Sequence, residues 1–306
     1  MQDFDLVVIG AGAAGLTAAT FAARYGLTVV VVERVGAGGQ IVNADSIENF
    51  PGFPGGIAGH ELGPLLHEQA EAAGAEFALD TVAAIELAGA HRVVRGATAA
   101  WRAGAVIIAA GSVPRPLGIP GETQFLGRGV SHCATCDGPL FAGQEVCVVG
   151  GGDTALDAAL VLVRDAARVM IFHRGARWSA QQALMGKVTA SPKIEIAGET
   201  AVEEILGEDA VSGVRLRVAG TGASHVQNVR GVFVCAGLAP NTAFVRGTLA
   251  LDAAGHVEID IAMRTSVEGI FAAGDIRSGS VAQLAAAAGD GATAAISAFR
   301  YLKQPG

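Results

Sequence analysis

Asp5-Leu-Val-Val-Ile-Gly10-Ala-Gly12-Ala-Ala-Gly15 is the stretch that decides the fold. The apolar run over residues 5–10 reads as a buried parallel strand. An Ala-rich stretch follows to Tyr25 with helical composition, and residues 28–32 read as a second strand closed by Glu33. In such a βαβ unit the first glycine of G-x-G-x-x-G permits the tight turn. The second lets the backbone approach a pyrophosphate, and the third lets helix and strand pack closely. Unpaired N–H groups and the dipole at the helix N-terminus favour the phosphates. Glu33 can accept hydrogen bonds from ribose hydroxyls. Spacing alone leaves NAD and FAD equally suited to this site.

The plan returns once. Glu145-Val-Cys-Val-Val-Gly150 is again a strand, Gly150-Gly-Gly152-Asp-Thr-Ala155 is a G-x-G-x-x-A turn, residues 156–164 read as helix and residues 168–172 as strand. Gly10 to Glu33 is 23 positions, and Gly150 to His173 is also 23. An internal duplication of a dinucleotide-binding unit is the simplest reading. The second copy ends in His173-Arg174, with Arg177 close by, where the first has Glu33. Losing the acid and gaining cations favours a ribose 2′-phosphate, hence NADP over NAD, unless the two arginines are simply solvated. A second matched pair, residues 105–111 and 231–237, consists of apolar runs ending in glycine before proline-bearing loops. Such prolines mark where the chain leaves one domain for another. The expected architecture is therefore α/β, with two Rossmann-like dinucleotide-binding domains, the second inserted into the first. The expected boundaries are 1–112 and 241–306 for the first domain and 113–240 for the second.

Composition narrows the function classes. The 306 residues carry a net charge of −8, which argues against nucleic acid and anionic membrane as partners. Residues 6–23 are uncharged, but Gly10, Gly12 and Gly15 interrupt them and acids precede them, so they read as neither a membrane helix nor a signal peptide. Four cysteines in this length do not make a cystine scaffold, and the usage fits a reducing cytoplasm. The 43 glycines are about twice the usual share, as expected where backbone must approach ligands closely.

Two of the cysteines form Cys133-Ala-Thr-Cys136, followed by Asp137. Thiols at this spacing can close a small, reversibly reducible ring, and the motif tends to lower one thiol's pKa. A zinc site would need two more ligands. Cys147 and Cys235 stand alone in apolar strands, and His132 by itself does not complete a tetrahedral set, so no metal is expected. Asp137 reads equally as a proton donor to a leaving thiolate or as a turn residue. His60 and His67 fall in a helix-like stretch without an evident carboxylate partner. Two dinucleotide sites and a dithiol define an electron path, since a flavin can link hydride transfer to disulfide reduction.

Read together, the ordered motifs closely resemble the low-molecular-weight thioredoxin reductases. They are Gly10-Ala-Gly-Ala-Ala-Gly15, Gly38-Gly-Gln40, Glu48-Asn-Phe-Pro-Gly52, Cys133-Ala-Thr-Cys-Asp137, Gly150-Gly-Gly-Asp-Thr-Ala155 and Phe271-Ala-Ala-Gly-Asp275. The resemblance covers nearly the whole chain. It implies FAD in the first domain, held by Gly10, Gly12, Ala13, Ala14, Gly15, Glu33, Arg34, Gly39, Val82, Ala110, Gly111 and Gly274. Glu33 would hold the adenosine ribose, Gln40 and Asn49 would lie near the isoalloxazine, Asp275 near the ribityl or phosphate region, and Gln283 beside the flavin. It implies NADPH at Gly151, Gly152, Asp153, Thr154, Ala155, His173, Arg174, Arg177 and Gly237. Cys136 would face the flavin, Cys133 would attack the partner disulfide, and Asp137 would serve as acid. Thioredoxin as partner, a homodimer and a swivelling second domain are implied as well.

Two departures stand out. The family's nucleotide motif usually reads His-Arg-Arg with a further arginine beyond, whereas here Gly175 and Ser179 occupy the last two arginine positions. Each missing guanidinium forfeits about 1.5–3 kcal/mol of charged hydrogen bonding, and about 1.4 kcal/mol is tenfold in affinity. A weakened NADPH preference is expected, with NADH or ferredoxin as alternative reductants. The flavin-side Arg-Gln-Ala is also altered, to Ala282-Gln-Leu284. A flavin-linked dithiol oxidase and a non-enzymatic redox sensor are the other readings of the same motifs.

Overall fold

The computed structural model describes residues 1–303. They fall into two compact units, Met1–Val113 together with the segment from Ala239 onward, and Pro114–Leu238. The first is thus assembled from both ends of the chain, and the second from one continuous stretch.

The first unit is built on a seven-stranded sheet. Gln2–Ile9 lies between Val29–Glu33 and Ala100–Ile108, all parallel, and Glu76–Leu79 extends the sheet beyond Val29–Glu33. On the other side the antiparallel strands His91–Gly96 and Val82–Ala88 follow the first half of Ala100–Ile108. Ile270–Ala272 pairs with its second half, at Val106, Ile107 and Ile108. Leu6, Val8, Val29 and Val31 point to the helical face, while Val7, Ile9, Val30 and Val32 pack on the other with Trp101 and Ile270. Burial on both faces is why these strands read as unbroken apolar runs rather than alternating ones. The helical face is covered by Ala13–Arg24 and Leu284–Lys303. These two helices lie so close that a Cβ on Gly291 would stand 2.1 Å from Ala14 O.

The second unit repeats the scheme. Its five strands run in the order Ile194–Ala197, Arg168–Phe172, Glu145–Val149, Gly231–Val234 and Val130–Ser131, parallel throughout. Helices Asp153–Leu162 and Gln182–Ala190 pack Leu156, Ala159, Leu162 and Val188 against Val146, Val148, Val169 and Ile171. On the opposite face lies a three-stranded antiparallel sheet, Thr200–Gly207, Val211–Val218 and Ser224–Asn228. It sets Val202, Ile205, Val214 and Leu216 on Cys147, Met170, Phe172 and Val232. The helix expected over 156–164 starts three residues earlier, because Gly152 is its N-cap and Asp153 occupies the first turn, where the helix dipole favours an acid. His67 is not without a carboxylate: its Nδ1 lies 3.6 Å from Glu71 Oε2, one turn along the helix Gly59–Ala72. No helix among the described residues is long and apolar enough to cross a membrane.

Candidate active site

In the first unit the strand Gln2–Ile9 ends at a turn held from several sides. Gly10 N donates to Val32 O and Gly38 N to Ala11 O, at 2.9 and 2.8 Å. Gly15 cannot be anything larger, since a Cβ there would stand 1.9 Å from Gly10 O. Gly12 is the N-cap of Ala13–Arg24, no side chain caps it, and nothing lies within 4 Å of where its Cβ would be. No side chain therefore caps the first N–H groups of the helix, those of Ala13 and Ala14 among them, an arrangement suited to a pyrophosphate. Glu33 Oε2 accepts the Ala11 N–H at 2.8 Å, while Oε1 accepts those of Arg34 and Val35 at 2.8 and 3.0 Å. The carboxylate is fixed at the turn, and Oε2, which takes a single donor, retains a second acceptor position for a ribose hydroxyl.

Residues far apart in sequence assemble beside this turn. Gly39 lies against Gly12, and Gln40 Nε2 donates to Ser112 O at 2.7 Å. Asn49 Nδ2 donates to Gln283 Oε1 at 3.0 Å. Ala110 and Gly111, past the end of Ala100–Ile108, are bound by Asn241, whose Nδ2 donates to Ala110 O and whose N–H donates to Gly111 O. Gly274 packs against Ala14. Burial raises the Asp275 carboxyl above its ordinary range although Ser280 Oγ donates to it at 3.2 Å. Val82 opens the strand Val82–Ala88 immediately after Asp80 and Thr81.

Sequence reading missed two supports of this site. Asp290, buried in the last helix, accepts the Gly274 N–H at 3.1 Å and both Nε and Nη2 of Arg277. Asp80 accepts N–H groups from Thr81, Ala97, Thr98 and Ala99 and the Thr98 hydroxyl. Burial works to raise the Asp80 carboxyl, but these hydrogen bonds outweigh it and bring it down to about 2. Asp290 lies inside a helix, and Asp80 follows the strand Glu76–Leu79 with no glycine turn beside it, so nothing in the local pattern singled them out.

In the second unit His173 closes over the glycine turn. A Cβ on Gly151 would stand 2.3 Å from His173 Nδ1, and the ring lies 4.8 Å from that of Trp178. His173 Nε2 is 2.9 Å from Arg177 O. Ser179 donates its N–H and its hydroxyl to Gly151 O, at 3.0 and 3.3 Å. Asp153 accepts Gln181 N and Nε2 at 2.8 and 2.7 Å. The loop after the strand Arg168–Phe172 is thereby tied down over the turn. Gly152 leaves the helix N-terminus uncapped, Ala155 is fully buried beneath it, and Thr154 is exposed. Gly237 turns with φ +103. Arg174 and Arg177 are exposed.

Cys133 and Cys136 form a disulfide, with Cα atoms 5.3 Å apart. Cys133 is the N-cap of the one-turn helix Ala134–Asp137, and its Sγ accepts the Cys136 N–H at 3.2 Å. That N–H is in place to stabilise a thiolate on Cys133 once the disulfide opens. Asp137, in the same turn, accepts the Ser131 hydroxyl at 2.6 Å. Cys147 is fully buried, which drives its thiol far up, and burial pushes Cys235 up to about 12, so neither supplies a competing thiolate. No group of three or more metal-ligating side chains occurs among the described residues.

Two dinucleotide-type turns with a CxxC disulfide define a class, the nucleotide-linked disulfide oxidoreductases. The model of the family described as pyridine nucleotide-disulphide oxidoreductase matches residues 4–291. Thioredoxin reductase of Treponema pallidum is 42% identical over 98% of this chain and 97% of its own. A bifunctional thioredoxin reductase/thioredoxin of Mycobacterium leprae is 41% identical over 98% of this chain and 66% of its own. The crystal structure of Lactococcus lactis thioredoxin reductase superposes with a TM-score of 0.96 at 37% identity, covering 98% and 99% of the two chains. The chain belongs to the pyridine nucleotide-disulphide oxidoreductase family, within its low-molecular-weight thioredoxin reductases.

Proposed function

We propose that the chain is an FAD-dependent disulfide reductase that carries electrons from NADPH through Cys133 and Cys136 to a protein disulfide, that of thioredoxin. The observation that carries this reading is the Cys133–Cys136 disulfide set on a helical turn, with an N–H on Cys133 Sγ and Asp137 in the same turn. The relative in which reductase and thioredoxin are one chain supports thioredoxin as the partner.

The first unit is the FAD domain in this reading, and its residues fit the group. The open N-terminus of Ala13–Arg24 takes the pyrophosphate, Glu33 the ribose, and Asp275, Gln40, Asn49 and Gln283 the ribityl and ring region. When bound, FAD accepts a hydride from reduced nicotinamide and passes two electrons to a disulfide. In the second unit the Gly150–Ala155 turn takes the nucleotide pyrophosphate and Arg174 and Arg177 a 2′-phosphate. Ser179 is occupied with Gly151 O, so the phosphate finds two guanidinium groups at most, and NADH competes.

Partner reduction then follows from the dithiol. Cys133 thiolate attacks one sulfur of the partner disulfide; that S–S bond breaks as the mixed disulfide forms, and the leaving thiolate takes the proton of Asp137. Asp137 next accepts the Cys136 proton while Cys136 attacks Cys133 Sγ. The intramolecular disulfide re-forms, and the second partner thiolate departs and takes up that proton. Two electrons and two protons reach the partner. A cytoplasmic homodimer suits the family, and the two unpaired cysteines suit a reducing compartment. The test is an anaerobic titration of the yellow, flavin-loaded protein with NADPH, NADH and reduced ferredoxin. Bleaching by NADPH followed by thioredoxin reduction is expected; a colourless protein, or bleaching by ferredoxin alone, overturns the reading.

A further inference from the structure

Ser131 is buried, 5% exposed, at the end of the two-residue strand Val130–Ser131, which hydrogen-bonds to Gly231–Val234 at the edge of the parallel sheet. Its hydroxyl stands between three groups. Asp137 Oδ2 is 2.6 Å away, the Cys133 N–H donates to Ser131 Oγ at 3.0 Å, and Cys133 O is 3.3 Å away. A serine has one proton to donate, and the shortest contact, to a carboxylate, takes it. The Asp137 N–H in turn donates to Cys133 O at 3.1 Å. The first residue of the dithiol and the carboxylate four positions on are therefore cross-linked through one buried hydroxyl.

We propose that Ser131 is a positioning residue for the dithiol chemistry, holding the Asp137 carboxylate beside Cys133 as the station through which protons leave and re-enter the dithiol. This rests on the reading of Asp137 as the acid in partner reduction. In the disulfide state Asp137 has given up its proton, and the Ser131 O–H stabilises the resulting charge. Before partner attack the carboxyl carries the proton destined for the first leaving thiolate. Ser131 thus gives the carboxyl a fixed orientation beside Cys133.

The neighbouring ionisable groups leave this role to Ser131. His132 has Nδ1 3.3 Å from Val234 O. The helix packed on this turn, Asp153–Leu162, carries Asp153, bound to Gln181, and Asp157, which has an interaction of its own. The following turn Gly138–Phe141 and the strand Gly231–Val234 carry no charged side chain.

The experiment is single-turnover reduction of oxidised thioredoxin by the pre-reduced, flavin-loaded full chain, followed from about pH 5 to 9. The parent is expected to show a limb along which the rate falls as pH rises, and Asp137→Asn is expected to remove that limb. Ser131→Ala, and independently Ser131→Gly should the first not fold, removes the donor and is expected to move the limb up by about one pH unit. Ser131→Thr keeps a hydroxyl and is expected to restore the parental position. A merely structural serine would scale the rate equally at every pH. An unmoved limb in a folded hydroxyl-deleted variant, with Asp137→Asn still abolishing it, overturns the proposal alone. A limb that survives Asp137→Asn overturns the acid role of Asp137 and the proposal with it.

Discussion

Arg277 grips Asp290 with both ends of its fork, Nε to Oδ2 at 2.7 Å and Nη2 to Oδ1 at 2.9 Å, and the two side chains are only 15% and 9% exposed. A buried pair of this kind is costly to break one-sidedly, because the remaining charge loses its partner in a place water reaches poorly. Asp290→Asn should therefore lower stability by about 3–5 kcal/mol. The Arg277→Met, Asp290→Leu double variant should recover much of the loss, apart from the Gly274 N–H left without an acceptor. Urea unfolding of the two variants beside the parent checks this; equal losses in single and double variants would show that the pair itself is not the source.

Asp80 makes a prediction about acid. Its carboxyl is held at about 2 instead of its ordinary 3.8. A depressed carboxylate contributes stability that is fully present above its unfolded value and is lost as pH falls through its folded value. Unfolding midpoints should therefore decline as pH is lowered from about 4 towards 2, and this part of the decline should be absent in Asp80→Asn. The variant should also be less stable at neutral pH, since four N–H donors lose a charged acceptor.

For nucleotide choice the informative position is Ser179. Ser179→Arg replaces a hydroxyl bound to Gly151 O with a guanidinium, and should raise the NADPH over NADH ratio of kcat/KM by about ten- to a hundredfold. Arg174→Ala should lower the NADPH value and leave that for NADH near the parental one. Equal effects on both nucleotides would remove these residues from 2′-phosphate recognition.

Trapping separates the two cysteines. Chemically reduced Cys136→Ser should stop turnover and accumulate a covalent adduct with oxidised thioredoxin through Cys133, visible on a non-reducing gel. Cys133→Ser should form no such adduct. An adduct of comparable yield from Cys133→Ser would reverse the assignment of the attacking thiol.

The strands of both βαβ units were legible because burial on two faces leaves a run such as Leu6-Val-Val-Ile9 or Val146-Cys-Val-Val149 with no polar interruption. The glycine turns were legible because Gly15 and Gly150 stand where a Cβ would meet a backbone oxygen. The supports around them were not. Asp290 sits in an Ala- and Gly-rich helix, where a single acid reads as solvated until the fold brings Arg277 to it. Asp80 acquires its donors from the turn at 97–99, and Ser131 finds its donor in the Cys133 N–H and its acceptor in Asp137. Long-range pairings such as Asn49 with Gln283 leave no trace in local pattern at all.

The close seat of Gly291 on Ala14, and the strand Ile270–Ala272 beside Val106–Ile108, bear on how the molecule comes into being. On the ribosome the interrupting stretch Pro114–Leu238 is fully synthesised while the amino-terminal sheet still lacks a strand and the helix that covers it. The inner unit can close its core at that point, whereas the outer one must keep its half-built sheet from aggregating until the tail emerges. Vectorial synthesis thus makes the dithiol-bearing unit the first to be complete, and leaves the Gly10–Gly15 turn waiting for the last helix to arrive.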